Sequence, residues 1–93
     1  MQAVRVRITG RVQGVWYRGW TVENALSLDL TGWVRNRRDG SVEALFVGPL
    51  DRIDDMLARC RLGPRAARVD AVNASSEPTP NPPPVGFDTM PTA

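Results

Sequence analysis

The sequence contains no histidine and no lysine, and it has a single cysteine. Without histidine the chain lacks the commonest general base near neutral pH, the usual base of a catalytic triad and the commonest zinc ligand. Without lysine it has no Walker-type phosphate lysine, no Schiff-base nucleophile and no amine base. Cys60 alone forms no internal disulfide. No apolar run approaches the length of a membrane span, and the start of the chain runs into the charged alternation Val4-Arg5-Val6-Arg7 rather than the apolar stretch of a secretion signal. Together these features predict a cytoplasmic protein with no membrane partner. Any catalysis must draw on arginine, carboxylates, amides, hydroxyls or the backbone.

All twelve basic residues are arginine, and against ten acidic residues they leave a formal charge of +2. That balance mildly favours an anionic ligand but is too small to imply a nucleic-acid partner. Ninety-three residues suffice for one domain with a single core, and nothing in that size or mixed surface charge requires a partner, so a monomer is expected.

Hydrophobic periodicity supplies the order of elements. Residues 3–9 alternate, with Val4, Val6 and Ile8 on one face of a strand. The glycine-bounded loop Gly10 to Trp16 then opens a helix from Tyr17 to Asp29, in which Tyr17, Thr21, Ala25 and Leu28 share a face. Strands are predicted at Gly32–Arg37 and Ser41–Val47, joined by a two-residue hairpin turn at Asp39-Gly40. Pro49 suits the first position of a second helix, whose stripe is Leu50, Ile53, Leu57 and Cys60 and whose stop is Gly63-Pro64. A fourth strand, Arg68–Asn73, places Val69 and Ala71 on one face. Six of the eight prolines lie beyond Glu77, so 78–84 reads as an extended linker, and 86–90 as either a short edge strand or a frayed end. These elements predict an α+β, ferredoxin-like βαββαβ sandwich, two helices on one face of an antiparallel sheet, with a domain over 1–74 and a proline-rich segment over 75–93.

In such a split βαβ unit the first two strands run parallel with a third between them, so their carboxyl ends share one edge. That edge receives the glycine loop, the start of the first helix, Arg18 and Asn36. Backbone N–H groups at a helix start bind anions, and a guanidinium adds bidentate hydrogen bonds to the same oxygens. Taken singly, each feature also has a plainer explanation: glycines in a strand–helix turn, and an asparagine before a hairpin, commonly serve only the turn. Trp33 reads as core, Trp16 and Trp20 as cover for helix and sheet surface, Cys60 as packing, and Arg37-Arg38 as a solvated hairpin tip.

The residues also carry a resemblance. Gly10-Arg11-Val12-Gln13-Gly14-Val15-Trp16-Tyr17-Arg18 resembles the acylphosphatase signature, a Gly-Arg-Val-Gln-Gly-Val run followed by a variable residue, an aromatic and the catalytic arginine. Gly32-Trp33-Val34-Arg35-Asn36, continuing to Glu43, is similar to the second block of that family, which carries the catalytic asparagine. The resemblance covers about residues 3–74. It implies that Arg18 and Asn36 are catalytic, that loop N–H groups from Gln13, Gly14, Val15, Trp16 and Tyr17 bind the phosphoryl group, and that Asn36 holds the attacking water. It also implies that no cofactor or metal takes part and that a small acyl phosphate is the substrate. Tyr17 stands where the family more often has phenylalanine, Arg37 where some members carry a small hydroxyl residue, and the proline-rich tail where members have a regular last strand. Two other readings share the topology: an RNA-binding module, disfavoured by the Arg5 and Arg7 face and by the sequence of the third strand, and a phosphate-binding accessory module like that at the start of hydrogenase-maturation carbamoyltransferases.

Overall fold

The computed structural model describes residues Met1–Ala93. Its elements are β1 (Gln2–Arg11), α1 (Tyr17–Ser27), β2 (Thr31–Asn36), β3 (Val42–Gly48), α2 (Leu50–Leu62), β4 (Arg68–Glu77) and β5 (Phe87–Thr89), with sheet order β4-β1-β3-β2-β5. β3 pairs antiparallel with both β1 and β2, so those two run parallel, and the split βαβ arrangement holds. Both helices pack on one face of the sheet, as the periodicity predicts. The core between the layers contains Val4, Val6 and Ile8 of β1, Val42, Ala44 and Phe46 of β3, Tyr17 and Ala25 of α1, and Ile53, Met56 and Cys60 of α2. No helix is long and apolar enough to cross a membrane.

Several local features depart from the sequence-based expectation, each for a definable reason. Pro49 is the N-cap of α2, with ψ 142°, and its carbonyl accepts from Ile53 N at 3.1 Å, so the helix begins one residue later than expected. The buried stripe of α2 is Ile53, Met56 and Cys60, and Leu50 is left exposed. The β2–β3 turn is a three-residue loop rather than two: Arg37 N donates to Ser41 O at 2.8 Å, Gly40 takes φ 93°, and the Asp39 carboxylate accepts from Ser41 N and Oγ. In β4 the pairing with β1 shifts between Thr9 and Gly10, leaving Asp70 as an extra residue. This bulge reverses the phase of the strand, so Val69 and Val72 face the helices and Ala71 faces solvent. Gly10 lies against the bulge, and a Cβ there would sit 2.2 Å from Arg68 O.

The largest difference concerns the end of the chain. β4 continues to Glu77, paired with Ala3, and Phe87–Thr89 forms a paired edge strand parallel to β2. Phe87 is buried and stacks on Phe46 with ring centroids 5.6 Å apart. Hydrogen bonding continues past β5, with Met90 N donating to Val34 O at 2.8 Å and Ala93 N to Asn36 O at 3.0 Å. Since Met90 donates toward β2, the neighbouring Pro91 falls where an N–H would point to the unpaired outer side, the place in a sheet that tolerates proline.

Candidate active site

The loop between β1 and α1 enters the helix through two left-handed residues, Gly14 at φ 73° and Trp16 at φ 67°. Trp16 is the N-cap of α1 but makes no side-chain capping bond, and the first turn contains no acidic residue. The leading N–H groups of α1 therefore have neither an intrahelical acceptor nor a carboxylate beside them. They open onto a cavity of about 300 Å³ lined by Val12, Gly14, Trp16, Tyr17, Arg18, Gly19, Asn36 and Thr89. One cation and no carboxylate border this space, which suits it to an anion.

Arg18, the second residue of α1, is exposed and forms no ion pair within the chain. The arginines on the opposite face of the sheet are committed: Arg5, Arg35 and Arg37 converge on the buried carboxylate of Glu43, at 3.3, 2.7 and 3.0 Å. Burial pushes the Glu43 pKa up, but hydrogen bonds from Arg35, Arg37 and Arg5 outweigh it and hold the group below its ordinary value. Arg37 is thus part of a half-buried ion-pair cluster rather than a solvated tip.

Asn36 ends β2 at the cavity. Its Oδ1 is buried with no hydrogen-bond partner in the protein. An acceptor in that condition costs about 1 to 3 kcal/mol unless a water or ligand donates to it. Its backbone is held on both sides, by Val42 of β3 and by the Ala93 N–H.

Gln13 and Val15 contribute no side chain to the cavity wall. Gln13 Nε2 donates to Arg37 O at 2.7 Å and to Ser41 O at 2.9 Å, strapping the loop to the neck of the β2–β3 hairpin. Val15 is buried in the core. Tyr17 lines the cavity, but its hydroxyl donates to Cys60 O at 2.7 Å, and burial raises the phenol far above its normal pKa. Burial likewise pushes the Cys60 thiol up to about 12, leaving it inert. Trp20 covers the helix surface as expected, packed on the core and against Tyr17. Trp16 does not; it is 58% exposed and lines the cavity. Trp33 lies on the open face of the sheet, with the guanidinium groups of Arg5 and Arg35 over its ring at 5.2 and 4.7 Å.

Sequence reasoning missed Thr89, which reaches the cavity because β5 adds to the edge of β2 beside Asn36, and Gly19, which reads in sequence only as a weak helix residue. No local signal marks Thr89. A resemblance taken to residue 74 stops short of it.

The acylphosphatase family profile matches residues 4–89, both signature blocks and the last strand included. The chain belongs to the acylphosphatase family. It is 55% identical over 91 residues to an acylphosphatase of Rhodospirillum rubrum, covering 98% of each chain, and 54% identical over 90 residues to one of Rhizorhabdus wittichii, covering 97% of this chain and 89% of that one. The structure of an acylphosphatase from Coxiella burnetii, 31% identical, superposes with a TM-score of 0.91 over 96% of this chain and 92% of its own.

Proposed function

We propose that this protein hydrolyses acyl phosphates to a carboxylate and inorganic phosphate, with Arg18 binding the phosphoryl group and Asn36 orienting the water that attacks it. The observation that carries this reading is the meeting, on one cavity free of carboxylates, of an unpaired guanidinium and a buried amide oxygen without a partner. The phosphoryl oxygens would take hydrogen bonds from Arg18 and from the N–H groups of the loop between Gln13 and Tyr17. Asn36 Oδ1 would accept a hydrogen from the water. The water oxygen then forms the new bond to phosphorus as the bond to the acyl oxygen breaks, the carboxylate leaves with the electron pair, and the water's proton passes to a phosphate oxygen. A carboxylate is a good leaving group, so positioning and charge stabilisation suffice without a general acid. This suits a site with no histidine, no lysine and no carboxylate at its wall.

The proposed setting is cytoplasmic, with the chain acting as a monomer on a small substrate and without metal, membrane or nucleic acid. The two guanidinium groups over Trp33 weigh against base stacking on the open sheet face, and they favour the hydrolase over the RNA-binding reading. The test is steady-state hydrolysis of benzoyl phosphate in the presence of chelator. Wild type should retain full activity, while Arg18→Ala and Asn36→Ala, each folded by circular dichroism, should lose at least about a hundredfold in turnover, the usual effect of removing a preorganised hydrogen-bonding group from such a site. Near-normal turnover by either variant would remove that residue from the mechanism, and loss of wild-type activity on chelation would remove the metal-free reading.

A further inference from the structure

Trp16 is the feature of this cavity that phosphate binding leaves unexplained. The other two tryptophans are partly buried, Trp20 on the core and Trp33 beneath two arginines, yet Trp16 is 58% exposed. It also holds a left-handed backbone, φ 67°, which disfavours bulky side chains and persists where the surrounding structure requires it. Beside it stands Gly19, in the first turn of α1. A Cβ on Gly19 would lie 2.2 Å from Trp16 Nε1 and 2.8 Å from Cδ1, so the indole edge rests against the helix backbone where any other residue would displace it. Glycine is a poor helix residue, and here its missing side chain is the seat of a ring.

We propose that the Trp16 indole, seated on Gly19, is the acyl-group wall of the site and sets a preference for acyl phosphates with an aromatic or flat apolar acyl group. The inference rests on the hydrolase reading above and adds a substrate class to it. In an in-line displacement the acyl oxygen leaves on the side of phosphorus opposite the attacking water. Asn36 and Thr89 form the sheet side of the cavity, and Trp16 and Gly19 the helix side. With the water on Asn36, the acyl group lies toward the indole. The ring offers a flat apolar face against which an aromatic acyl group can stack, next to the guanidinium that holds the phosphate. A two-carbon acyl group is too small to gain much from that face.

The experiment compares kcat/KM for benzoyl phosphate and acetyl phosphate in wild type, Trp16→Ala, Trp16→Phe and Gly19→Ala, with folding checked by circular dichroism. Wild type should favour benzoyl phosphate. Trp16→Ala should reduce the benzoyl-to-acetyl ratio at least about tenfold, chiefly through KM, since the loss is of apolar contact and not of transition-state charge stabilisation. Trp16→Phe should keep most of the preference. Gly19→Ala, which leaves the tryptophan present but unseats it, should lower the ratio in the same direction. A ratio that stays within about twofold in Trp16→Ala and Gly19→Ala, while both substrates are still turned over, overturns the acyl-wall role and leaves the hydrolase reading standing. If wild type turns over neither substrate, the hydrolase reading fails and this inference fails with it.

Discussion

Asn36 and Gln13 show how differently two amides can serve one site. Asn36 keeps a buried oxygen without a protein partner, whereas Gln13 spends its amide on two backbone carbonyls across the hairpin neck. The strap links the glycine loop to the end of the strand that carries Asn36, so in the proposed mechanism Gln13 acts as a positioning residue. We expect Gln13→Ala to destabilise the fold by about 1 to 3 kcal/mol, the loss of two hydrogen bonds at about 0.5 to 1.5 kcal/mol each, since both carbonyls keep a backbone donor. Turnover of benzoyl phosphate should fall as well, because a loop displaced by an ångström misplaces its donors. Urea denaturation and steady-state kinetics on the same variant check both, and an unchanged turnover would limit Gln13 to stability. At this scale the sequence supplied the candidate residues but not the direction of their side chains. Trp16 and Trp20 are four apart on the same stretch of chain, yet one lines the cavity and the other packs on the core, because the left-handed turn at Trp16 ends the helical phase that covers Trp20.

Among the elements, β5 has the most consequence for its length. Its three residues place Phe87 in the core and Thr89 at the cavity, and the backbone beyond it holds Asn36 from the outer side. Phe87→Ala should cost about 3 to 5 kcal/mol, the range for removing a buried aromatic side chain. It should also reduce turnover beyond what the unfolded fraction explains, because β2 loses its outer support beside Asn36. Denaturant unfolding, together with kinetics at a temperature where the variant is folded, separates the two effects. Alternation and capping signals made β1 to β3 and both helices legible. The tail was less so, because a three-residue strand has too few positions to show a period, and its partner lies more than fifty residues earlier in the chain.

For the molecule as a whole, the two faces of the sheet use arginine differently. The helix-facing side ends in the cavity with its free guanidinium, while the open side gathers Arg5, Arg35 and Arg37 on Glu43. The folded state holds the Glu43 pKa below its ordinary 4.5, so these ion pairs contribute fully above that pH. The contribution is lost as pH falls through the depressed folded-state pKa. Stability to urea should therefore decline from pH 6 to pH 3. Glu43→Gln should lower it at pH 6 by about 2 kcal/mol, less than for a fully buried pair because the arginines keep roughly a third of their side-chain surface exposed, and should flatten the decline. An equally steep acid dependence in Glu43→Gln would assign it to other carboxylates.

The chain by itself determined the layered α+β plan, the order of its elements, and the absence of histidine and lysine chemistry. Each of these is written in local pattern: periodicity, turn chemistry, or residue type. Tertiary structure alone decided that Asn36 Oδ1 is left without a protein donor, that Arg37 serves an ion-pair cluster, that the tail completes the sheet, and that Trp16 turns outward onto a seat made by Gly19. Those outcomes depend on contacts between distant segments and on the sign of one backbone angle, which no local pattern encodes.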